Sequence, residues 1–343
     1  MTLASPLRLR LDGAALCDNW RWLAKRSGSA ACGAAVKADG YGLGERGVVE
    51  RLTKAGCRDF FVATWGEASA LGTLEEGVGL SVLHGVRDED MTVATASNAR
   101  PTLNTPEQVL RWRDTGQSCD VMVDTGMNRL GIAARDIADG LLEGLRIETL
   151  MSHLACADTV SPMNEAQRIN FAALAGTTTA RRMSLANSAG ICLGNDYAFD
   201  LTRPGLALYG GVPASVAQRH ITQVVRPEAQ IVQRRSVAAG ESVGYNATFV
   251  AQQVTEVAIL NIGYADGYLR AFSGKGSCGD GRLPAIGRVS MDLLAICVDA
   301  APQLREGDWV QVDYDLPTAS AQSGLSQYEL LTGLGARFDR IWD

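Results

Sequence analysis

The chain has 343 residues, 46% hydrophobic and 20% charged, with a formal net charge of -6. That length exceeds one average domain and the composition is that of a packed globule, so one large domain or two are expected. The acidic balance argues against nucleic acid as the main partner, because phosphate backbones need a basic face, and no apolar run approaches the roughly 20 residues of a membrane span.

In chain order, the N-terminal MTLASPLRLRLDG lacks a signal peptide's apolar core. Cysteines at 17, 32, 57, 119, 156, 192, 278 and 297 form no CxxC pair and no metal-like spacing. They read as reduced thiols of a cytoplasmic protein. His84, His153 and His220 are too dispersed for a metal site, so no metal is expected.

Strand candidates follow as ACGAAVK (31–37), FFVAT (60–64), LSVLH (80–84), PTL (101–103), DVMVD (120–124), IETLMSH (147–153), MSLAN (183–187) and FDLT (199–202). Amphipathic stretches alternate with them. In ERGVVERLTKAG, Val48, Val49, Leu52 and Ala55 share one face and Gly56 offers a left-handed stop. In NTPEQVLRWRDTG, Thr105 suits an N-cap, Pro106 the first helical position and Gly116 the end. This alternation predicts a (β/α)8 TIM-type barrel over residues 1–222, with an open doubly wound sheet as the alternative.

From about residue 223 to 343 the texture turns to β-rich runs, EAQIVQRRSV, TEVAILNIGY, LPAIGRVSMDLLAICVD and DWVQVDY, separated by turn residues. A smaller, mainly β domain is expected there, with the junction near 215–228 and the first few residues of the chain packed against it. GKGSCGDGR (274–282) reads as a hairpin-like loop and SQYELLTGLG as a short helix.

Barrel enzymes gather their functional groups at the C-terminal ends of strands. Lys37 in AVKADGYGLG ends the first strand candidate, Arg129 follows the fifth, His153 ends the sixth, Ser188 follows the seventh, and Arg203, Gly205 and Leu206 follow the eighth. Loops after the last two strands are the usual phosphate cradle of this fold. Taken singly, Lys37 reads as an exposed strand-end lysine, His153 as a core histidine, Ser188 as a helix cap and the arginines as surface ion pairs. Together they suit a phosphate-bearing carbonyl cofactor, whose aldehyde a lysine amine captures as a Schiff base.

The motifs VKADGYGLG, DTGMNRLGI, MSHLACAD, NSAGICL, RPGLALYGG, VGYNATF, NIGYADGY and GRVSMD occur in the order and spacing of alanine racemases, which the chain resembles from about residue 7 to its end. The resemblance implies pyridoxal 5'-phosphate held by Lys37, Tyr41, His153, Ser188, Arg203, Gly205 and Leu206. Lys37 would be the base on one face of the substrate Cα. Tyr245 would be the base on the other, reaching the site from the second subunit of a homodimer. Arg129 and the Met291 amide would bind the substrate carboxylate, Tyr264 would gate the approach, and His153 would orient Arg203 by a hydrogen bond. The product would be D-alanine for peptidoglycan, although a catabolic member would look similar. Two departures stand out: Met122 occupies a position where several members carry a carbamylated lysine beside the arginine, and Ala336 one where members can carry a tyrosine. The second suggests a broader alanine and serine racemase. Other readings are a non-catalytic carrier of the cofactor, which would need no Tyr245, and a decarboxylase on the same plan.

Overall fold

The structure, a computed structural model, describes residues 4–343. The chain divides into a unit spanning Leu16–Thr222 and a unit formed by Gln223–Asp343 with the N-terminal segment up to Ala15. Strand β1 (Leu7–Leu11) belongs to the latter.

The Leu16–Thr222 unit contains β2 (Ala31–Cys32), β3 (Ala34–Ala35), β4 (Asp59–Val62), β5 (Gly79–Val82), β6 (Arg100–Leu103), β7 (Ser118–Met122), β8 (Arg146–Met151), β9 (Arg182–Ser184) and β10 (Leu201–Thr202). Strands β3 to β9 lie side by side in sequence order and all parallel. Gly33 splits the first barrel strand so that it serves two neighbours: β2 pairs with β10 and β3 with β4. A Cβ on Gly33 would lie 2.7 Å from the Asp59 carbonyl oxygen and 2.9 Å from the Phe61 ring. The Gly33 amide donates to the Thr202 carbonyl (2.9 Å) and the Ala35 amide to that of Pro204 (2.8 Å). Amides of Asp200 and Arg203 donate to Met183 and Ala186 (3.0 and 2.8 Å), so β10 also joins the chain flanking β9 and the ring closes. The expected (β/α)8 barrel is present.

Several strands stop before the apolar runs that announced them, because the last residues of the runs 31–37, 60–64, 80–84, 120–124, 147–153 and 183–187 lie in the loops that follow. Helix Glu45–Ala55 ends at Gly56 (φ +117°), as its sequence suggests. Helix Pro106–Arg113 opens on the Thr105 cap, whose hydroxyl accepts from the Gln108 amide (3.3 Å), but it stops before Gly116, which lies in the following turn. The barrel interior is partly polar: Ser81, Thr102, Asp120, Thr149 and Ser184 are all buried. Asp120 accepts from Ser81 Oγ (2.6 Å) and the Thr149 amide (3.0 Å) and faces Arg100 at 3.5 Å.

In the second unit, β11 (Val225–Val237) is the spine. Its first half pairs antiparallel with β1, and its second half, past an irregularity at Ile231/Gln233, with β14 (Thr255–Leu260). The hairpin β12 (Ser242–Val243) and β13 (Phe249–Val250) lies between them in sequence. Strands β15 (Ser277–Cys278), β16 (Leu283–Ile286) and β17 (Leu294–Cys297) extend the sheet beyond β14. Strand β18 (Trp309–Gln311) pairs with β11, and β19 (Asp339–Trp342) lies parallel to β1, so the two ends of the chain share one edge. The segment 274–282 is a hairpin, joining β15 to β16. Helix Gln327–Thr332 occupies the expected place; helix Leu316–Ser323, capped by Asp315, was not evident from the sequence.

Candidate active site

Lys37 leaves the barrel immediately after β3 and opens a turn of unusual hand. Residues Ala38, Asp39, Gly40 and Tyr41 have φ of +54°, +53°, +62° and +55°. A left-handed residue bearing a side chain costs about 1–2 kcal/mol, and three of these four do. Backbone bonds from Gly40 to Val36 (2.8 Å), Gly42 to Ala38 (2.8 Å) and Gly44 to Asp39 (2.8 Å) hold the turn closed. Two carboxylates complete it: Asp39 accepts from the Glu45 amide (3.0 Å), and Glu67 accepts from the Ala38 amide (2.8 Å). The Lys37 amine has no hydrogen-bond or ion-pair partner among the described residues. Burial lowers its pKa, the charges of Arg129 and Arg203 lower it further, and Glu67 opposes them. Both effects favour a nucleophilic, unprotonated amine.

An oxyanion cradle adjoins the lysine turn. Asn187 caps helix Ser188–Leu193 through the Gly190 amide (2.9 Å), which fixes Ser188 at the helix start. Ser188 Oγ accepts from the Gly205 and Ala207 amides (2.9 and 3.2 Å), leaving its own hydrogen to donate. The Gly205 amide, expected as an anion donor, is thus engaged by Ser188. Leu206 opens a 3-10 turn, so its amide has no acceptor within that turn. Tyr41 stacks on Tyr209 at 4.6 Å between centroids. A Cβ on Gly205 would lie 2.2 Å from the Tyr41 hydroxyl, so glycine lets that hydroxyl approach the backbone of the cradle. Tyr209, which the sequence did not single out, donates to the Ala35 carbonyl (2.8 Å) and braces Tyr41 against the lysine-bearing strand. Neutral donors of this kind fit a phosphate monoester.

Arg203 is buried. Its guanidinium donates to Ser184 Oγ and to the Ser152 carbonyl (2.6 Å). His153 is not among its hydrogen-bond acceptors, so the orienting bond read from the sequence belongs to Ser184 and Ser152 here. Those two acceptors engage both terminal nitrogens of the guanidinium, and burial, then the charges of Arg203, Arg129 and Lys37, push the His153 imidazole down to about 3, so it is neutral at physiological pH. Burial pushes Arg203 down to about 10, with Asp120 pulling the other way, so it stays charged at neutral pH.

Arg129 is exposed and has no hydrogen-bond or ion-pair partner among the described residues. Its loop is built by Asp124, whose Oδ1 accepts from the amides of Gly126, Met127 and Asn128 (2.9, 2.9 and 3.1 Å). Met122 is buried at the end of β7 and offers no charge to the arginine.

Within the second unit, Tyr245 is 65% exposed and Met291 54%. Tyr264 stands at the start of a 3-10 turn, with Arg270 over its ring at 5.0 Å. The Tyr264 and Ala265 amides donate to Ser290 and Met291 carbonyls (both 3.0 Å), which ties the two loops together. Arg337, unnoticed in the sequence, locks the pair: it grips buried Asp266 at 2.6 and 2.8 Å and Asp292 at 2.7 Å. Its neighbour Ala336 is exposed. No cluster of metal-binding side chains occurs among the described residues, and no helix among them is long and apolar enough to cross a membrane.

Residues 11–213 match the family of the alanine racemase N-terminal domain and residues 224–342 that of the alanine racemase C-terminal domain. The chain is 39% identical to a biosynthetic alanine racemase of Agrobacterium fabrum, covering 98% of this chain and 93% of the relative. It is also 39% identical to the catabolic alanine racemase of the same organism, covering 97% and 91%. Among solved structures it resembles alanine racemase from Bartonella henselae with covalently bound pyridoxal phosphate, with a TM-score of 0.90, 34% identity, and 99% and 100% of the two chains covered.

Proposed function

The chain belongs to the alanine racemase family, and from that premise we propose that it interconverts L- and D-alanine by two-base proton transfer at Cα. It is an isomerase, and its cofactor is pyridoxal 5'-phosphate. When bound, that group supplies an electron sink for the charge left at Cα. Lys37 would hold it covalently, Ser188, Leu206 and Tyr41 would hold its phosphate with Gly205 as the close backbone approach, and Arg203 and His153 would flank its ring. Arg203 donates without surrendering its proton at neutral pH, so the site returns a proton to Cα rather than to the cofactor, which favours racemisation over transamination.

Lys37 is the base on one face. A single base would return the proton to the side it came from, so a second is required, and Tyr245 of a second copy of the chain is the residue we assign. The support is its exposure and that of Met291, together with the exposed Val250, Val254 and Leu293 of the same unit: apolar surface that a partner would cover. Arg129 and the Met291 amide of the second copy would bind the substrate carboxylate, with Tyr264 gating the approach. We also propose a substrate range that includes serine, on the ground that Ala336 stands where family members can carry a bulkier tyrosine.

The observation that carries the reading is one barrel mouth holding an unpartnered, desolvated lysine, a Ser188–Leu206 cradle and a charged buried Arg203. Incubating either enantiomer of alanine with the protein in D2O should give racemate with deuterium at Cα, and borohydride should leave the cofactor attached to Lys37. Cofactor binding without exchange would make the protein a carrier; carbon dioxide release would make it a decarboxylase. Serine run alongside alanine, with Ala336→Tyr, reads the breadth. Biosynthetic and catabolic relatives stand at the same 39% identity; we propose the biosynthetic role, for which deletion of the gene would create a need for D-alanine.

A further inference from the structure

We propose that Glu67 is a positioning residue for Lys37, its carboxylate anchoring the strained backbone behind the lysine and supplying negative charge against Arg129 and Arg203; this rests on the role given to Lys37 above. Glu67 is the third residue of helix Trp65–Leu71, where it forms a capping box with Thr64. A capping box asks of the glutamate only the N-cap amide. Here one oxygen takes the Ala63 and Thr64 amides (2.6 and 3.3 Å), while the other crosses to the Ala38 amide (2.8 Å), 29 residues away in sequence.

That extra bond falls at the first left-handed residue of the lysine turn. The carboxylate therefore satisfies a donor that the unusual turn leaves behind, and ties the turn to the end of β4. A charged acceptor on an amide is stronger than a neutral one, and Glu67 is only partly buried, so the arrangement holds without a buried unpaired charge. The groups facing Lys37 are Arg129 from the loop after β7, Arg203 after β10, neutral His153 after β8, and Glu67; Asp39 and Glu45 belong to its own turn. Glu67 acts against the two arginines, keeping the lysine nitrogen more basic than they alone would leave it.

The test uses the holo-protein and follows the pH midpoint of the absorption band of lysine-bound pyridoxal phosphate, with hydrogen–deuterium exchange over residues 36–42. Glu67→Gln removes the charge and turns one of two acceptor atoms into a donor. The midpoint should fall by about half a pH unit or more, and exchange over the turn should quicken. Glu67→Asp keeps the charge but is one methylene too short to serve Ala63 and Ala38 together. It should hold the parent's midpoint and still lose protection. The proposal needs both the shift and the lost protection in Glu67→Gln; either one absent overturns it. Should that variant not fold, retained protection in Glu67→Asp overturns it and lost protection supports it. A parent protein without the band would overturn the role of Lys37 instead, so the two failures are distinct.

Discussion

Lys37 and Tyr245 each enter a turn of positive φ directly after a short strand, but the two turns are finished differently. Behind Lys37, residues 38–41 are left-handed, and the turn is held at Ala38, Asp39 and Gly40 by backbone bonds and by carboxylates from the same unit. Around Tyr245, Gly244 (φ +79°), Asn246 (φ +62°) and Ala247 (φ +47°) bend the chain in the same sense, yet the ring is 65% exposed. The base of that loop is firm: Gly240 and Ala251 amides donate to Ala251 and Glu241 carbonyls (2.8 and 2.9 Å), over a core of Val237, Ala251, Val257 and Ile286. On the proposed reading, a chain that organises the lysine internally and holds the tyrosine outward on this stem would prepare one half of a site and offer the other half to a second copy.

The largest effect should come from Lys37→Ala. Losing both the covalent anchor and a base should cut racemase kcat/KM by at least about 10³-fold. With the cofactor removed from both proteins, the variant's melting temperature should hold or rise against the parent's, since the amine has no hydrogen-bond or ion-pair partner among the described residues and lies near two arginines. A loss of both activity and stability would mean that the lysine is a structural element of the turn. Tyr245→Phe comes next, with a loss of about 10²–10³-fold, larger in one direction of racemisation, and cofactor retention unchanged. Its stability should move by less than about 0.5 kcal/mol, as for an exposed residue. Mixing the two inactive variants is the sharper experiment. If the tyrosine is exported to a partner, mixed dimers contain one site with both bases and activity returns; if each chain uses its own tyrosine, it does not.

The difference between the two regions also governs how much could be read in advance. The barrel was legible because alternating apolar runs and cap residues such as Thr105 and Pro106 act locally. Lys37, Ser188 and Arg203 were legible because a barrel orders strand ends into one mouth. The left hand of residues 38–41 was not, because Ala38 and Tyr41 carry no preference for positive φ and the bonds that impose it come from elsewhere. Glu67 did leave a signal, the Thr64-x-x-Glu67 spacing of a capping box, but nothing local revealed its reach to Ala38. The partners of Arg203 are Ser184 on β9 and Ser152 just past the end of β8, and only the register of the barrel brings them there. The pairing of β1 with β11 and β19 joins residues more than 200 positions apart, beyond any local pattern.

The smallest expected effect isolates the lysine turn from its chemistry. Glu45 opens the helix after the turn, is 8% exposed, and has Oε2 buried without a partner. Burial, and then Asp39 and Glu67, push its carboxyl up to about 7 from 4.5. The folded state thus prefers the neutral acid. Its contribution to stability is complete below the unfolded value of 4.5 and is lost as pH rises through about 7. Above that, folding must carry an ionised carboxylate with little compensation. Glu45→Gln keeps the shape and removes the charge, so it should stabilise the protein at pH 8 by about 1 kcal/mol, a rise of roughly 2–4 °C in melting temperature. At pH 4, where the native carboxyl is already protonated, the gain should vanish. Thermal scans at the two pH values decide it. An equal gain at both would trace the effect to better packing beneath Gly40 and take Glu45 out of the electrostatics of the turn; a gain confined to pH 8 would show the lysine side tolerating a charge cost that the exposed tyrosine loop never meets.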